Sequence, residues 1–98
     1  MTTPATTASV RFELGNIYIT PGAIDALVEA SQHAQEFLQR HRRGDWGELD
    51  EHDRQENELS IREGFRILSA YRTARDARLW IITEADWSST TILLPEEY

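Results

Sequence analysis

The sequence predicts an α+β fold in which an antiparallel sheet packs on one long helix, with a short acidic helix beside them. Apolar residues alternate near both ends of the chain, a helical period runs between them, and a strongly acidic segment follows the helical period. The chain has 98 residues and no cysteine, so it is sized for one domain closed by an apolar core without disulfides. We predict a disordered small-polar tail over residues 1–8 and a single domain over residues 9–98.

The first predicted element is an N-terminal β-hairpin. Apolar residues alternate with charged ones over residues 10–14, which is the pattern of a half-buried strand. Gly15-Asn16 is a two-residue turn signal, and residues 17–19 are predicted to form the return strand.

The long helix is predicted to follow directly. Thr20 supplies a hydroxyl N-cap, Pro21 suits the first helical position, and Gly44 can end the helix in the left-handed conformation. Residues at spacings of three and four fall on one face of it: Ile24, Leu27, Val28, Ser31, Ala34 and Leu38.

A short acidic helix and a three-strand meander complete the prediction. Asp50 is the expected N-cap of a helix through about Arg62 that Gly64 ends. The shortage of apolar residues in this helix predicts a frayed or extended first half. Three segments then alternate in hydropathy between polar turns, over residues 65–71, 79–83 and 90–94. We expect Leu27, Phe37, Ile67, Ile81 and Leu93 to be buried in the core.

The charge of the chain is concentrated in one segment. Residues 45–63 hold eight of the 17 acidic residues against two arginines, which gives −6 of the formal net charge of −7. Such a surface repels nucleic acid and attracts basic partners. We therefore predict a non-enzymatic protein-interaction module that binds a basic protein surface.

The residues predicted to bind this partner are five acids and one tryptophan: Trp46, Asp50, Glu51, Asp53, Glu56 and Glu58. Trp46 lies in a turn between Asp45 and Gly47. A large aromatic ring in such a turn either fills the core of its own domain or waits for a pocket on a partner.

Two other functions remain open. His41, Asp45, His52 and Asp53 are suitable metal ligands for a small metal-dependent enzyme, although their spacing matches no recognised metal motif. The basic run Arg40–Arg43 could contact DNA, but the neighbouring acids make nucleic acid the weaker prediction. We predict no catalytic residue, no bound metal and no cofactor.

The sequence also predicts self-association. The last two predicted strands are apolar on both faces, and one helix covers only one face of a sheet. We therefore predict a homodimer through Trp80, Ile82 and Leu93. No segment is apolar enough to cross a membrane, and residues 1–9 lack the basic and apolar regions of a signal peptide, so we expect a cytoplasmic protein.

Residues 41–98 resemble a family of small uncharacterised proteins encoded on bacterial plasmids, integrative elements and phages. The resemblance rests on five stretches: residues 41–47, Asp53 with Asn57, residues 64–71, residues 80–86, and residues 90–98. It implies a bacterial cytoplasm and a role in the life cycle of a mobile element, such as inhibition or modulation of a host defence or DNA-processing complex. It implies no catalytic residue.

Overall fold

The computed structural model describes residues 10–98, so the predicted disordered tail lies outside the described residues. Within these residues one strand is followed by three helices and then by three more strands, and a single turn of 3₁₀ helix, Pro95–Glu97, comes last. The elements are β1 (Asn16–Ile19), α1 (Pro21–Ala30), α2 (Ala34–Arg42), α3 (Glu51–Glu63), β2 (Ile67–Arg72), β3 (Arg78–Thr83) and β4 (Ser89–Leu93).

The four strands form one mixed sheet in the order β1-β4-β3-β2. The α+β class holds, but the predicted antiparallel sheet is wrong, because β1 pairs with β4 in the parallel direction. Strands β2, β3 and β4 pair antiparallel in chain order, with Ile81 opposite both Ser69 and Ile92.

The predicted N-terminal hairpin is also wrong. Residues 10–15 form no strand; the N–H of Arg11 instead donates to the carbonyl oxygen of Arg42, and Phe12 is buried. Gly15 has a φ of 65°, and a Cβ there would lie 2.3 Å from the carbonyl oxygen of Ser88. Glycine at this position therefore allows the backbone to approach the start of β4 closely, and it does not form a two-residue turn. The N–H of the next residue, Asn16, donates to the same carbonyl oxygen of Ser88.

The single long helix is wrong as well, because the chain breaks it between Ala30 and Ala34. Ser31 is left-handed with a φ of 54°, and its N–H donates to the carbonyl oxygens of Leu27 and Val28. Because this C-cap residue is serine rather than glycine, the residue types in the sequence did not indicate that the helix ends here. The predicted start is confirmed: Thr20 is the N-cap and accepts from Ala23 N–H.

α1 and α2 cover one face of the sheet, which we call the inner face. The main core joins both helices to the central strands, and its buried members are Ala23, Ala26, Leu27, Phe37, Leu38, Tyr71, Leu79, Ile81 and Ile92. A second cluster contains Phe12, Trp46 and Ile67. All five residues predicted to be buried are buried, which confirms that part of the prediction.

The opposite, outer face of the sheet carries Trp80, Ile82 and Leu93. The chain itself covers much of this face, because Tyr98 packs edge-on against Trp80 at 5.8 Å between ring centroids and Arg66 donates to the Tyr98 hydroxyl. Ile82 and Leu93 are buried, and Trp80 is half-buried. Self-association through these three residues stays a prediction, with little accessible apolar surface to support it.

Candidate functional site

The acidic helix α3 is fully formed over thirteen residues, so its predicted frayed first half is wrong. Asp50 caps it by accepting from Asp53 N–H at 2.9 Å, and Gly64 ends it with a φ of 80°. Both caps lie where the sequence predicts them.

A polar contact, rather than an apolar stripe, holds α3 against the sheet. The side-chain amide of Asn57 donates to the carbonyl oxygen of Leu68 at 2.6 Å and accepts from Leu68 N–H at 3.0 Å. This pair imitates the hydrogen bonds of a neighbouring strand. Asn57 and Ser60 are the buried residues of α3, which explains how a helix with so few apolar residues stays in place.

Glu58 has a structural role that its position in the acidic segment conceals. It forms a two-pronged ion pair with Arg11, at 2.7 and 2.8 Å, and accepts from the indole N–H of Trp46 at 3.3 Å. The hydrogen bonds from Arg11 lower the pKa of Glu58 below its usual value. Trp46 itself is only 4% exposed and stacks on Phe12, so its ring fills the core in this conformation and is not offered to a partner.

Arginines from outside the acidic segment neutralise three of its acids. Besides the Arg11 pair, Arg40 binds Asp45 at 2.8 Å and Arg72 binds Glu48 at 3.0 Å. The hydrogen bond from Arg40 lowers the pKa of Asp45. Counting all three arginines against the segment changes its formal charge from −6 to −3, with Arg72 shared between Glu48 and Asp76, which it binds at 2.9 Å.

Five acids of the segment remain, all exposed. We call the four at the N-cap and in the first half of α3 the acidic face: Asp50, Glu51, Asp53 and Glu56; the fifth, Glu63, is the last residue of the helix. Within residues 10–98 none of the four pairs with an arginine; the nearest approach of a base is His52 to Glu56 at 3.9 Å. Arg54, on the same helix, is occupied by the carbonyl oxygens of Gly47 and Leu49.

A groove of about 370 Å³ runs between α3 and the start of β2, beside the acidic face. Its lining combines Asp53 and Glu56 with the apolar side chains of Leu49, Phe65 and Leu68. It also includes Arg66, which pairs with Glu84. Phe65 is 54% exposed, a large fraction for an aromatic ring. The groove therefore offers carboxylates next to an apolar floor.

One histidine of the predicted metal set, His41, lies away from the acidic face, in the core. His41 Nδ1 is 2.5 Å from Ser69 Oγ, and Nε2 is 2.9 Å from Thr83 Oγ1. Thr83 in turn contacts Thr90 at 2.7 Å, and the Thr90 hydroxyl donates to the carbonyl oxygen of Leu14.

Only one assignment of donors and acceptors satisfies every hydrogen bond in this buried series of side chains. A carbonyl oxygen can only accept, so Thr90 donates to Leu14 and must accept from Thr83, which must accept from His41 Nε2–H. Nδ1 then accepts from Ser69. Because both ring nitrogens are engaged by hydroxyl groups and burial lowers the pKa of His41 to about 3, the imidazole is neutral and has no lone pair left for a metal.

The four predicted metal ligands are thus not brought together. His41 is buried, Asp45 binds Arg40, and His52 and Asp53 are exposed on α3. Within the part of the chain that the structure describes, no group of three or more histidines and acids is arranged to hold a metal ion.

Two arginines of the basic run, the candidate DNA contact, bond within the domain through their side chains. Arg40 binds Asp45 and lies 4.5 Å over the ring of Tyr71, and Arg43 donates to the carbonyl oxygen of Gln39. Arg42 is half-buried. Its backbone carbonyl oxygen accepts from Arg11 N–H, whereas its side-chain Nε is buried without a hydrogen-bond partner among the described residues.

Sequence reasoning missed two features of the site. No local pattern indicates the role of Asn57, because its amide–backbone contact depends on a strand that begins ten residues later. Phe65 was assigned to the alternating strand pattern, whereas β2 begins at Ile67 and leaves Phe65 at the rim of the groove.

No family model, curated protein or solved structure gives a significant match to this chain. Among residues 10–98, no helix has both the length and the apolar character needed to cross a membrane.

Proposed function

We propose that this chain is a non-enzymatic protein-interaction module that binds a basic protein surface through its acidic face. The observation that carries the proposal is the solvent exposure of Asp50, Glu51, Asp53 and Glu56 without an arginine partner among the described residues. Unpaired surface carboxylates concentrated on one helix raise the local negative potential and speed the encounter with a basic partner.

The groove beside α3 supports a more specific partner surface. Charge alone mainly accelerates association, whereas apolar contacts in a desolvated pocket hold a complex together. Phe65 and Leu68 supply apolar contact within reach of Asp53 and Glu56. The partner segment that fits has an apolar side chain flanked by arginine or lysine.

The biological setting is proposed on the resemblance of residues 41–98 alone. We propose that the module acts in the bacterial cytoplasm for a mobile genetic element and inhibits or modulates a host defence or DNA-processing complex. Such complexes carry basic surfaces that bind nucleic acid, and an acidic protein can occupy those surfaces.

The test is affinity capture from a bacterial host, followed by binding kinetics with each recovered protein after purification. The variant Asp50→Asn/Glu51→Gln/Asp53→Asn/Glu56→Gln removes four negative charges, and asparagine at position 50 retains a capping side chain. Glu58 is left intact because it binds Arg11 and Trp46. We expect the variant to associate at least about tenfold more slowly at low salt, with a smaller change in dissociation.

A matched control neutralises four other exposed acids that form no ion pair among the described residues: Glu13, Asp25, Glu29 and Glu96. Because the total charge of the two variants is the same, only a localised site makes them differ. Equal binding by both variants, or binding of the unmodified protein to duplex DNA at physiological salt, would contradict the proposal.

A further inference from the structure

The two edges of the sheet differ in their protection. At the β2 edge, the Asn57 amide binds the backbone of Leu68, and residues 46–48 bind the backbone of Ala70 through the Trp46 carbonyl oxygen and Glu48 N–H. At the β1 edge, no strand of the described residues pairs with the side of β1 that faces away from β4. Unpaired backbone donors and acceptors at a sheet edge form a template for another strand.

The register of β1 shows which groups point outward. Asn16 N–H donates to Ser88 and Thr20 N–H donates to Ile92, so the even-numbered residues bond to β4. In a parallel pair the intervening residues direct both N–H and C=O to the other side. Ile17 and Ile19 therefore present two donors and two acceptors at the free edge.

The side chains of β1 do nothing to block pairing. Natural edge strands are commonly protected by charged residues, proline or a bulge, and Asn16–Ile19 contains no charged residue and no proline. Ile17 and Tyr18 are 40% and 55% exposed on opposite faces of the sheet. An uncharged edge with exposed apolar side chains on both faces is a surface suited to burial.

Helix α1, on the inner face, also carries exposed apolar side chains. One flank of α1, which includes Asp25 and Glu29, lines a groove with Asp76 and Arg78 at the β3 side. Ile24 and Val28 lie on the other flank of α1 and are 47% and 71% exposed. Ile17 shares the inner face with them, because it is in register with the buried Thr90.

The charge distribution identifies the occupant. The acidic segment contacts the β2 edge, at the far side of the sheet, and the remaining residues of the chain sum to −1. Two copies can therefore meet at β1 without bringing their acidic segments together. We propose that β1 pairs antiparallel with β1 of a second copy, which makes a two-fold dimer with a continuous eight-stranded sheet.

The backbone fixes the register of this dimer. Pairing of Ile17 with Ile19 of the second copy, and of Ile19 with its Ile17, forms four backbone hydrogen bonds. Tyr18 then faces its own equivalent across the two-fold axis as a non-hydrogen-bonded pair. The β2 edges, one at each end of eight strands about 4.8 Å apart, are separated by roughly 34 Å, several times the screening length of about 8 Å.

The first test is sedimentation of the full chain over a range of concentrations. Ile17→Pro removes a donor that points away from β4, and Tyr18→Lys places a charge on the two-fold axis; we expect each to raise the dimer dissociation constant at least about tenfold. Phe65→Lys is the matched control, because Phe65 is 54% exposed at the opposite edge, and it should not change self-association. Circular dichroism melts verify that each variant folds.

The second test uses the absence of cysteine from the chain. Cα atoms of a non-hydrogen-bonded antiparallel pair lie about 4.5 Å apart, within the range of about 4.4–6.8 Å that a disulfide spans. Tyr18→Cys should therefore form a disulfide-linked dimer under mild oxidation, and Phe65→Cys should not. A monomer at high micromolar concentration, or equal crosslinking of the two cysteine variants, would overturn the proposal. Neither result depends on binding through the acidic face, so the two proposals fail independently.

Discussion

The imidazole of His41 joins α2 to the sheet through hydroxyl groups on β2 and β3. Burial of a polar side chain is costly unless its hydrogen bonds are made, and both ring nitrogens have partners here. The T-shaped contact with Phe12, at 5.0 Å between ring centroids, places an apolar ring against the same imidazole. Protonation of His41 would therefore bury a positive charge with no carboxylate among the described residues to pair with it.

The pH dependence of stability follows from this burial. His41 has a pKa of about 3 when folded and about 6.5 when unfolded, so the unfolded state takes up the proton first and stability falls as pH drops from 6.5 toward 3. We expect the free energy of unfolding to decrease by about 2 kcal/mol between pH 7 and pH 5, where most carboxylates stay ionised. Urea melts at both pH values measure this decrease in the free energy of unfolding.

The control variants are His33→Gln and His52→Gln, since both histidines are exposed. Each should keep the full pH dependence, and His41→Gln should remove most of it whatever its stability at pH 7. If His41→Gln lost stability between pH 7 and pH 5 as steeply as the unmodified protein, the effect would arise from other groups.

Trp46 gives a second prediction for a single side chain. Because the ring is buried against Phe12, Trp46→Ala should lower the free energy of unfolding by about 3–5 kcal/mol, and Trp46→Phe by less. Partner dissociation by a folded Trp46→Phe variant should be unchanged. Faster dissociation of that variant, without loss of stability, would show that the ring leaves the core to bind the partner.

Among the elements, those fixed by local pattern could be predicted and those fixed by distant contacts could not. The meander has alternating apolar residues and polar turns within one stretch of chain, so β2, β3 and β4 follow from the sequence. The parallel partner of β1 lies about seventy residues away, and nothing near Gly15-Asn16 distinguishes that pairing from a hairpin. The helix break at Ser31 has no glycine or proline. The apolar periodicity of the sequence runs across it and therefore predicts a single helix.

Asn57 is the residue on which the position of α3 depends most. Asn57→Ala removes both hydrogen bonds to the Leu68 backbone and leaves a buried N–H and C=O without partners. We expect a loss of about 1–3 kcal/mol and faster hydrogen exchange at the Leu68 amide. Gln55→Ala is the control on the same helix, because Gln55 is exposed and bonds only to Glu51. Equal effects of the two substitutions would show that α3 is held by other contacts.

For the whole molecule, the sequence predicted where the negative charge lies but not how much of it is available. The composition of residues 45–63 gives −6 directly. Its neutralisation depends on Arg11, Arg40 and Arg72, which lie elsewhere in the chain and reach the segment only after folding. The predicted partner-binding set therefore divides into four exposed acids and two residues, Glu58 and Trp46, that serve the fold.

The separation of the acidic face from the β1 edge predicts opposite responses to salt. Raising salt from about 0.01 M to about 1 M shortens the screening length from about 30 Å to about 3 Å. Association with a basic partner should weaken steeply, because the carboxylates of the acidic face are exposed. The dimer should be unchanged or tighter, because its contacts are uncharged and two chains of net charge −7 repel less when screened. Sedimentation measures the dimer, and surface-bound kinetics with the Tyr18→Lys monomer measure the partner. A dimer that dissociates as salt rises would place charged residues in its interface and contradict pairing through β1.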